Sequence, residues 1–151
     1  MKDIIQQSVE DSITAKKKFF AKHIKEIESC AYLMATALQG GRKILLFGNG
    51  GSAADCQHIA AEFVNRFQIE RKPLPAIALT TDTSIITSIG NDYAYEDIFF
   101  KQIQALGKKG DIALGISTSG NSPNVIKAVE EAKDIGISII GFSGNKGKLK
   151  T

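Results

Sequence analysis

Tryptophan is absent from the 151 residues, cysteine and histidine occur twice each, and proline occurs three times. The two cysteines, Cys30 and Cys56, have neither CxxC nor Cys/His spacing. Metal knots and dithiol redox centres therefore drop out, and small buried hydrophobes in a reducing compartment remain as the reading. No apolar run approaches the ~20 residues that a membrane span needs. The opening Met-Lys-Asp-Ile-Ile-Gln-Gln has no apolar segment or small-residue cleavage site of a secretory signal. A cytoplasmic protein without membrane partners is expected. Aromatics make up 7% and do not interleave with the lysines, so the stacking footprint of a nucleic-acid binder is missing. The formal net charge of +3 suits a small anionic ligand better than a polymer. The early run Lys16, Lys17, Lys18, Lys22 and Lys25 reads as a solvated helix face.

The chain does have the apolar residues for one core: 43% are hydrophobic and 23% charged, the balance of a globular domain. Over positions 2–39, Ile5, Val9, Ile13, Phe20, Ile24, Ile27, Ala31, Met34 and Leu38 recur at helical spacings, and Gly40-Gly41 stops the run. A helix of that length spans more than ~50 Å and exceeds what a small sheet can cover. It is expected both to break near positions 12–16 and to pack partly against another subunit. Beyond Gly41 the pattern alternates. Strands are expected at 43–47, 76–79, 111–116 and 138–142, and helices at 53–67, 83–89, 95–106 and 123–135. Pro123 fits a first helical turn. This order is that of an α/β fold, a doubly wound parallel sheet behind a long N-terminal helical segment. The segments are an oligomerisation helix at 1–40 and a ligand domain at 41–151. The ending Asn-Lys-Gly-Lys-Leu-Lys-Thr reads as the middle of a connection, so the domain is expected to be C-terminally incomplete.

Ligands of such sheets sit beyond the carboxyl ends of the strands. Two polar loops occupy that edge. Gly48-Asn49-Gly50-Gly51-Ser52 leads from the first strand into a helix whose free N–H groups and dipole favour an anion. Ser117-Thr118-Ser119-Gly120-Asn121-Ser122 does the same after the third strand, with four hydroxyls in six residues. Ordinary surface turns are the competing reading of both loops. Gly48-x-Gly50-x-x-Ala53 also satisfies the loose dinucleotide fingerprint. The acidic partner should lie about 20 positions on, whereas Asp82 lies 82 − 48 = 34 positions on. The second loop favours a phosphate ester, because many neutral donors converge on one group. No P-loop lysine follows either loop, which sets aside nucleotide triphosphates. His58 and Glu62 are four apart on one helix face. They are suited to proton abstraction beside a carbonyl, against the alternative of an exposed surface pair.

The stretches GNGGSAAD, QHIAAE, PAIALTTD, GND and GDIALGISTSGNSPNV together resemble the SIS (sugar isomerase) family, and within it the phosphoheptose isomerases. The resemblance runs from the N-terminal helix to the last residue. It implies a flavodoxin-like SIS fold and a homotetramer with active sites shared between subunits. It also implies conversion of sedoheptulose 7-phosphate to D-glycero-D-manno-heptose 7-phosphate for lipopolysaccharide and related surface glycans. On the matching positions, Ser52, Ser117, Thr118, Ser119 and Ser122 would bind phosphate. Asn49, Gly50 and Gly51 would line the sugar chain, and Asn91 and Asp92 would reach its hydroxyls, although a turn-capping role for Asp92 is as good a reading. Glu62 would be the base and His58 its companion; in zinc-binding members His58 and Glu62 would also be ligands. No nucleotide cofactor is implied. The family's fifth strand and final helix, with a glutamine and an acid histidine, have no counterpart here, so the chain as it stands is expected to bind but to turn over poorly. Two other readings compete. One is a non-catalytic SIS platform of the replication-initiator-associating type, which would not need the complete sugar loops. The other is an NAD-binding Rossmann enzyme.

Overall fold

The computed structural model describes residues 1–144 and 147–150. The chain divides into two compact units, Met1–Ala35 and Thr36–Thr151. In the first, helix α1 begins at Lys2 and runs on to Gln39, with no residue buried along its length. The expected break at positions 12–16 is not there. Backbone dihedrals leave the helical range at His23 instead (φ −118°, ψ 16°). There the imidazole lies over Phe19, with ring centroids 5.1 Å apart, and Nδ1 stands 3.4 Å from Glu26 Oε1. The apolar spacing carries straight through this point, so periodicity could not mark it. The basic run at positions 16–25 is exposed, as its pattern suggests.

The second unit holds a four-stranded parallel sheet of order β2-β1-β3-β4, with β1 at Ile44–Gly48, β2 at Ala76–Ala78, β3 at Ile112–Ser117 and β4 at Ser138–Ser143. Every residue of β1 and β3 is buried, while β2 alternates and β4 opens to solvent at its end. Strands covered on both faces must be apolar throughout, which is why these two runs take the centre. Helices α2 (Gly51–Val64), α3 (Thr83–Asp92), α4 (Phe100–Leu106) and α5 (Pro123–Ile135) complete the alternation. Two boundaries differ from the periodic reading. The segment 95–106 splits into a 3-10 turn at Tyr95–Asp97 and α4, because Ile98 and Phe99 dive into the core between them. Gly90, Asn91 and Asp92 belong to the last turn of α3 rather than to the loop after it. Leu45, Phe47, Ile98, Phe99, Ile103 and Val125 build the core, with the Phe47 and Phe99 rings 5.6 Å apart. No helix among the described residues is long and apolar enough to cross a membrane.

At the amino ends of β1 and β3, Asp111, 1% exposed, receives Lys43 Nζ at 2.5 Å and the backbone N–H groups of Lys43 and Lys108. Burial by itself would raise this carboxyl. The bonds from Lys43 and Lys108 and the Lys43 charge outweigh it and hold Asp111 below the usual carboxylate range. That end of the sheet is closed, and the polar loops open at the other.

Candidate active site

The loops after β1 and β3 lie side by side because their strands pair in register, Gly48 against Ile116. A side chain at Gly48 would stand 2.8 Å from the Ile116 carbonyl oxygen and 2.9 Å from Ser52 Cβ, so only glycine permits this approach. Gly50 (φ +55°) then turns the chain into α2 without any side-chain cap. The N–H groups of Gly51 and Ser52 are thus left without intrahelical acceptors, whereas those of Ala53 and Ala54 donate to the Gly50 carbonyl. The β3 loop is tighter. Gly120 (φ +67°) donates its N–H to the Ser117 carbonyl at 2.9 Å. Ser117 Oγ sits 2.9 Å from Ser122 Oγ and 3.4 Å from Ser119 Oγ. The Ser122 hydroxyl is therefore spent inside the loop rather than on capping α5, whose N1 position is Pro123. Ser117 is buried, Ser122 half-buried, and Thr118 and Ser119 exposed: a graded hydroxyl cradle at one strand end.

His58 and Glu62 share a face of α2, with Nε2 and Oε1 3.8 Å apart and side chains 74% and 33% exposed. Ten residues separate Glu62 from Ser52, about 15 Å along the helix axis. The end of α2 is fixed from outside. Arg71 donates to the carbonyls of Glu62 (2.6 Å), Phe63 (2.8 Å), Lys72 (3.0 Å) and Asn65 (3.3 Å). This capping stops α2 at Val64, short of the position 67 that its apolar pattern suggests. Asn91 donates to Asp92 at 2.9 Å, and neither has a hydrogen bond to the two loops among the described residues. Asp82 accepts from Ile85 N at 2.9 Å as the N-cap of α3, so its carboxylate is engaged in the fold.

Periodicity and motif reading passed over two residues. Asn124 (2% exposed) exchanges two hydrogen bonds with Asn49, and Tyr95 Oη donates to Asn49 Oδ1 at 3.3 Å. An asparagine between Pro123 and Val125, on the buried side of the first helical turn, was the available signal for the first. Of the cysteines, Cys56 is fully buried and desolvation pushes its thiol up to about 12, an inert hydrophobe; Cys30 is half-buried. A cleft of about 540 Å³ runs beside α5 between Glu96, Pro123, Ile126, Lys127 and Glu130. It touches the hydroxyl loop only at Asn121 and includes none of the cradle serines.

A family profile described as the SIS domain matches residues 9–144. A phosphoheptose isomerase of Clostridium acetobutylicum is 54% identical over 149 residues, covering 97% of this chain and 76% of that protein. The chain belongs to the SIS-domain family, among its phosphoheptose isomerases. A phosphoheptose isomerase of Aquifex aeolicus is 53% identical over 97% of the chain and 77% of its own length. Among solved structures of this family, a phosphoheptose isomerase from Francisella tularensis matches with TM-score 0.93 at 43% identity, covering 98% of this chain and 78% of that one. Another from Neisseria gonorrhoeae matches with TM-score 0.89 at 43% identity, covering 96% and 76%. The α/β architecture expected from the sequence is thus that of the family.

Proposed function

We propose that this protein interconverts sedoheptulose 7-phosphate and D-glycero-D-manno-heptose 7-phosphate in the cytoplasm, supplying heptose for lipopolysaccharide and related surface glycans. The hydroxyl cradle at the end of β3, beside the glycine loop of β1, carries the proposal. Ser52, Ser117, Thr118, Ser119 and Ser122 hold the phosphate with hydroxyls and helix N–H groups. Asn49, Gly50 and Gly51 line the sugar, and Asn91 and Asp92 meet its hydroxyls. Glu62 takes the carbon-bound proton beside the ketose carbonyl. That C–H pair becomes the enediol double bond while the carbonyl oxygen gains a proton. Reprotonation at the neighbouring carbon, with loss of the hydroxyl proton on the first, leaves the aldose. His58 stands beside Glu62 and polarises it. The 15 Å between cradle and base along one α2 supports a site completed between copies, in a homotetramer assembled through residues 1–40. The domain at 41–151 carries the ligand; its positions 145, 146 and 151 lie outside the described residues.

A tetrahedral zinc shell takes four ligands. His58 and Glu62 supply two donors, and no group of three or more His, Cys, Asp or Glu suited to a metal occurs among the described residues. These residues alone do not fit the ion, and no step is routed through it.

Calorimetry and turnover on the full chain with Glu62→Gln test the reading. The variant should bind sedoheptulose 7-phosphate within about threefold of wild type and bind the unphosphorylated sugar far less tightly. Its turnover should fall by at least ~10²-fold, the usual contribution of a general base. Near-full turnover would remove Glu62 as the base. Binding of neither sugar by wild type would favour a non-catalytic platform.

A further inference from the structure

One pair of side chains joins the β1 loop to the first turn of α5. Asn49 Nδ2 donates to Asn124 Oδ1 at 2.9 Å, and Asn124 Nδ2 donates back to Asn49 Oδ1 at 2.8 Å. Tyr95 Oη donates to the same Asn49 oxygen at 3.3 Å. A carboxamide has two lone pairs on oxygen and two N–H bonds on nitrogen. Both lone pairs of Asn49 are therefore engaged. One of its N–H bonds is engaged as well, and the other has no protein partner among the described residues. Each Nδ2 of the pair makes one of its two N–H donations within it; Asn124 is buried and Asn49 half-buried, so the second N–H of Asn49 is the one nearer solvent.

We propose that Asn124, with Tyr95, is a positioning residue that makes Asn49 a hydrogen-bond donor only, presented to an oxygen acceptor of the ligand. The acceptor it suits is the carbonyl oxygen of an open-chain ketose phosphate, or the enediolate oxygen that carbonyl becomes. This deepens the isomerase reading and rests on it. A freely turning amide would serve a hydroxyl through either end and gain little as the reaction proceeds. A locked N–H strengthens its bond as negative charge gathers on the oxygen, which is how a preorganised donor lowers a barrier. The lock also ties the β1 loop to the first turn of α5, so the donor and the hydroxyl cradle keep a fixed spacing.

Asn124→Asp breaks the device with almost no change of shape. Its carboxylate offers acceptors only, so one of its oxygens opposes Asn49 Oδ1 whichever way that amide is turned, and Asn49 loses its fixed orientation. In the full chain, Asn124→Asp should lower kcat by about 10²-fold, the effect of losing one oxyanion donor, while KM moves less than about threefold. In an Asn49→Ala background the same change should add less than about threefold, because Asn124 acts only through Asn49. Tyr95→Phe, at an exposed residue, should lower kcat by about fivefold, one ordinary hydrogen bond. Independently of turnover, one of the two Asn49 side-chain N–H signals in NMR, assigned by their loss in Asn49→Ala, should exchange slowly in wild type and rapidly in Asn124→Ala. Full multiplication of the Asn124→Asp and Asn49→Ala effects overturns the proposal. Rapid exchange of both Asn49 protons in wild type also overturns it. If wild type isomerises no heptose phosphate the parent reading fails, and the exchange result alone decides the lock. If Asn124→Asp does not fold, wild-type exchange and Tyr95→Phe decide: an unchanged kcat and unchanged Asn49 signals in Tyr95→Phe overturn it.

Discussion

Asp111 keeps its charge in the interior because Lys43 and two backbone N–H groups surround it, and that arrangement makes stability depend on pH. Its folded pKa lies below the ordinary carboxylate value of ~3.9. The stabilisation is therefore complete above about pH 4 and is lost as the pH falls through the depressed folded value. Asp111→Asn should cost about 2–4 kcal/mol in urea unfolding at pH 7, since Lys43 loses its partner. The gap to wild type should narrow below about pH 4; a gap that stays constant down to pH 3 would refute the linkage. At this scale the sequence spoke through loop chemistry. Ser117, Ser119 and Ser122 declared themselves as hydroxyls crowded after an apolar strand, and the structure brings them within hydrogen-bonding distance. Asn124 and Tyr95 stayed silent because their meaning lies in Asn49, 75 and 46 positions away.

Among the elements, β1 and β3 were legible as unbroken apolar runs, and α5 as a helix over 123–135 opened by Pro123; the structure adds its left-handed stop at Gly136, φ +82°. The end of α2 was not legible, because its last carbonyls are closed from beyond the helix by Arg71, which donates to those of Glu62, Phe63 and Asn65. Terminal carbonyls left without donors weaken the last turn, where Glu62 and Phe63 reside. Arg71→Ala should lower stability by about 1–2 kcal/mol and speed amide exchange in the last turn of α2. Arg71→Lys should recover only part, since an ammonium cannot span the set as a planar guanidinium does. Unchanged stability and exchange in Arg71→Ala would show that the cap carries no weight. The 3-10 turn at Tyr95–Asp97 escaped the periodic reading for a similar reason: burial of Ile98 and Phe99 outweighs local helix preference.

For the molecule as a whole, α1 exposes Ile5 (59%), Val9 (53%), Phe20 (52%) and Ile24 (58%), an apolar surface that a lone chain leaves in water. Sedimentation at micromolar concentration should show an oligomer, and Phe20→Glu with Ile24→Glu should shift it toward monomer. A folded wild-type monomer would overturn assembly through this helix. The stripe was legible in the sequence, whereas its break at His23 was not, because the apolar spacing carries through it unchanged. The register of Gly48 with Ile116 joins positions 116 − 48 = 68 apart, and closing so long a loop costs roughly 4 kcal/mol in its length-dependent part. Sheet bonds and the Lys43–Asp111 pair meet that entropy at one end of the strands; the Asn49–Asn124 pair meets it at the other. On the proposed function, an anion held by both loops would act on the chain as a removable cross-link, and its occupancy and the probability of closure would be one equilibrium.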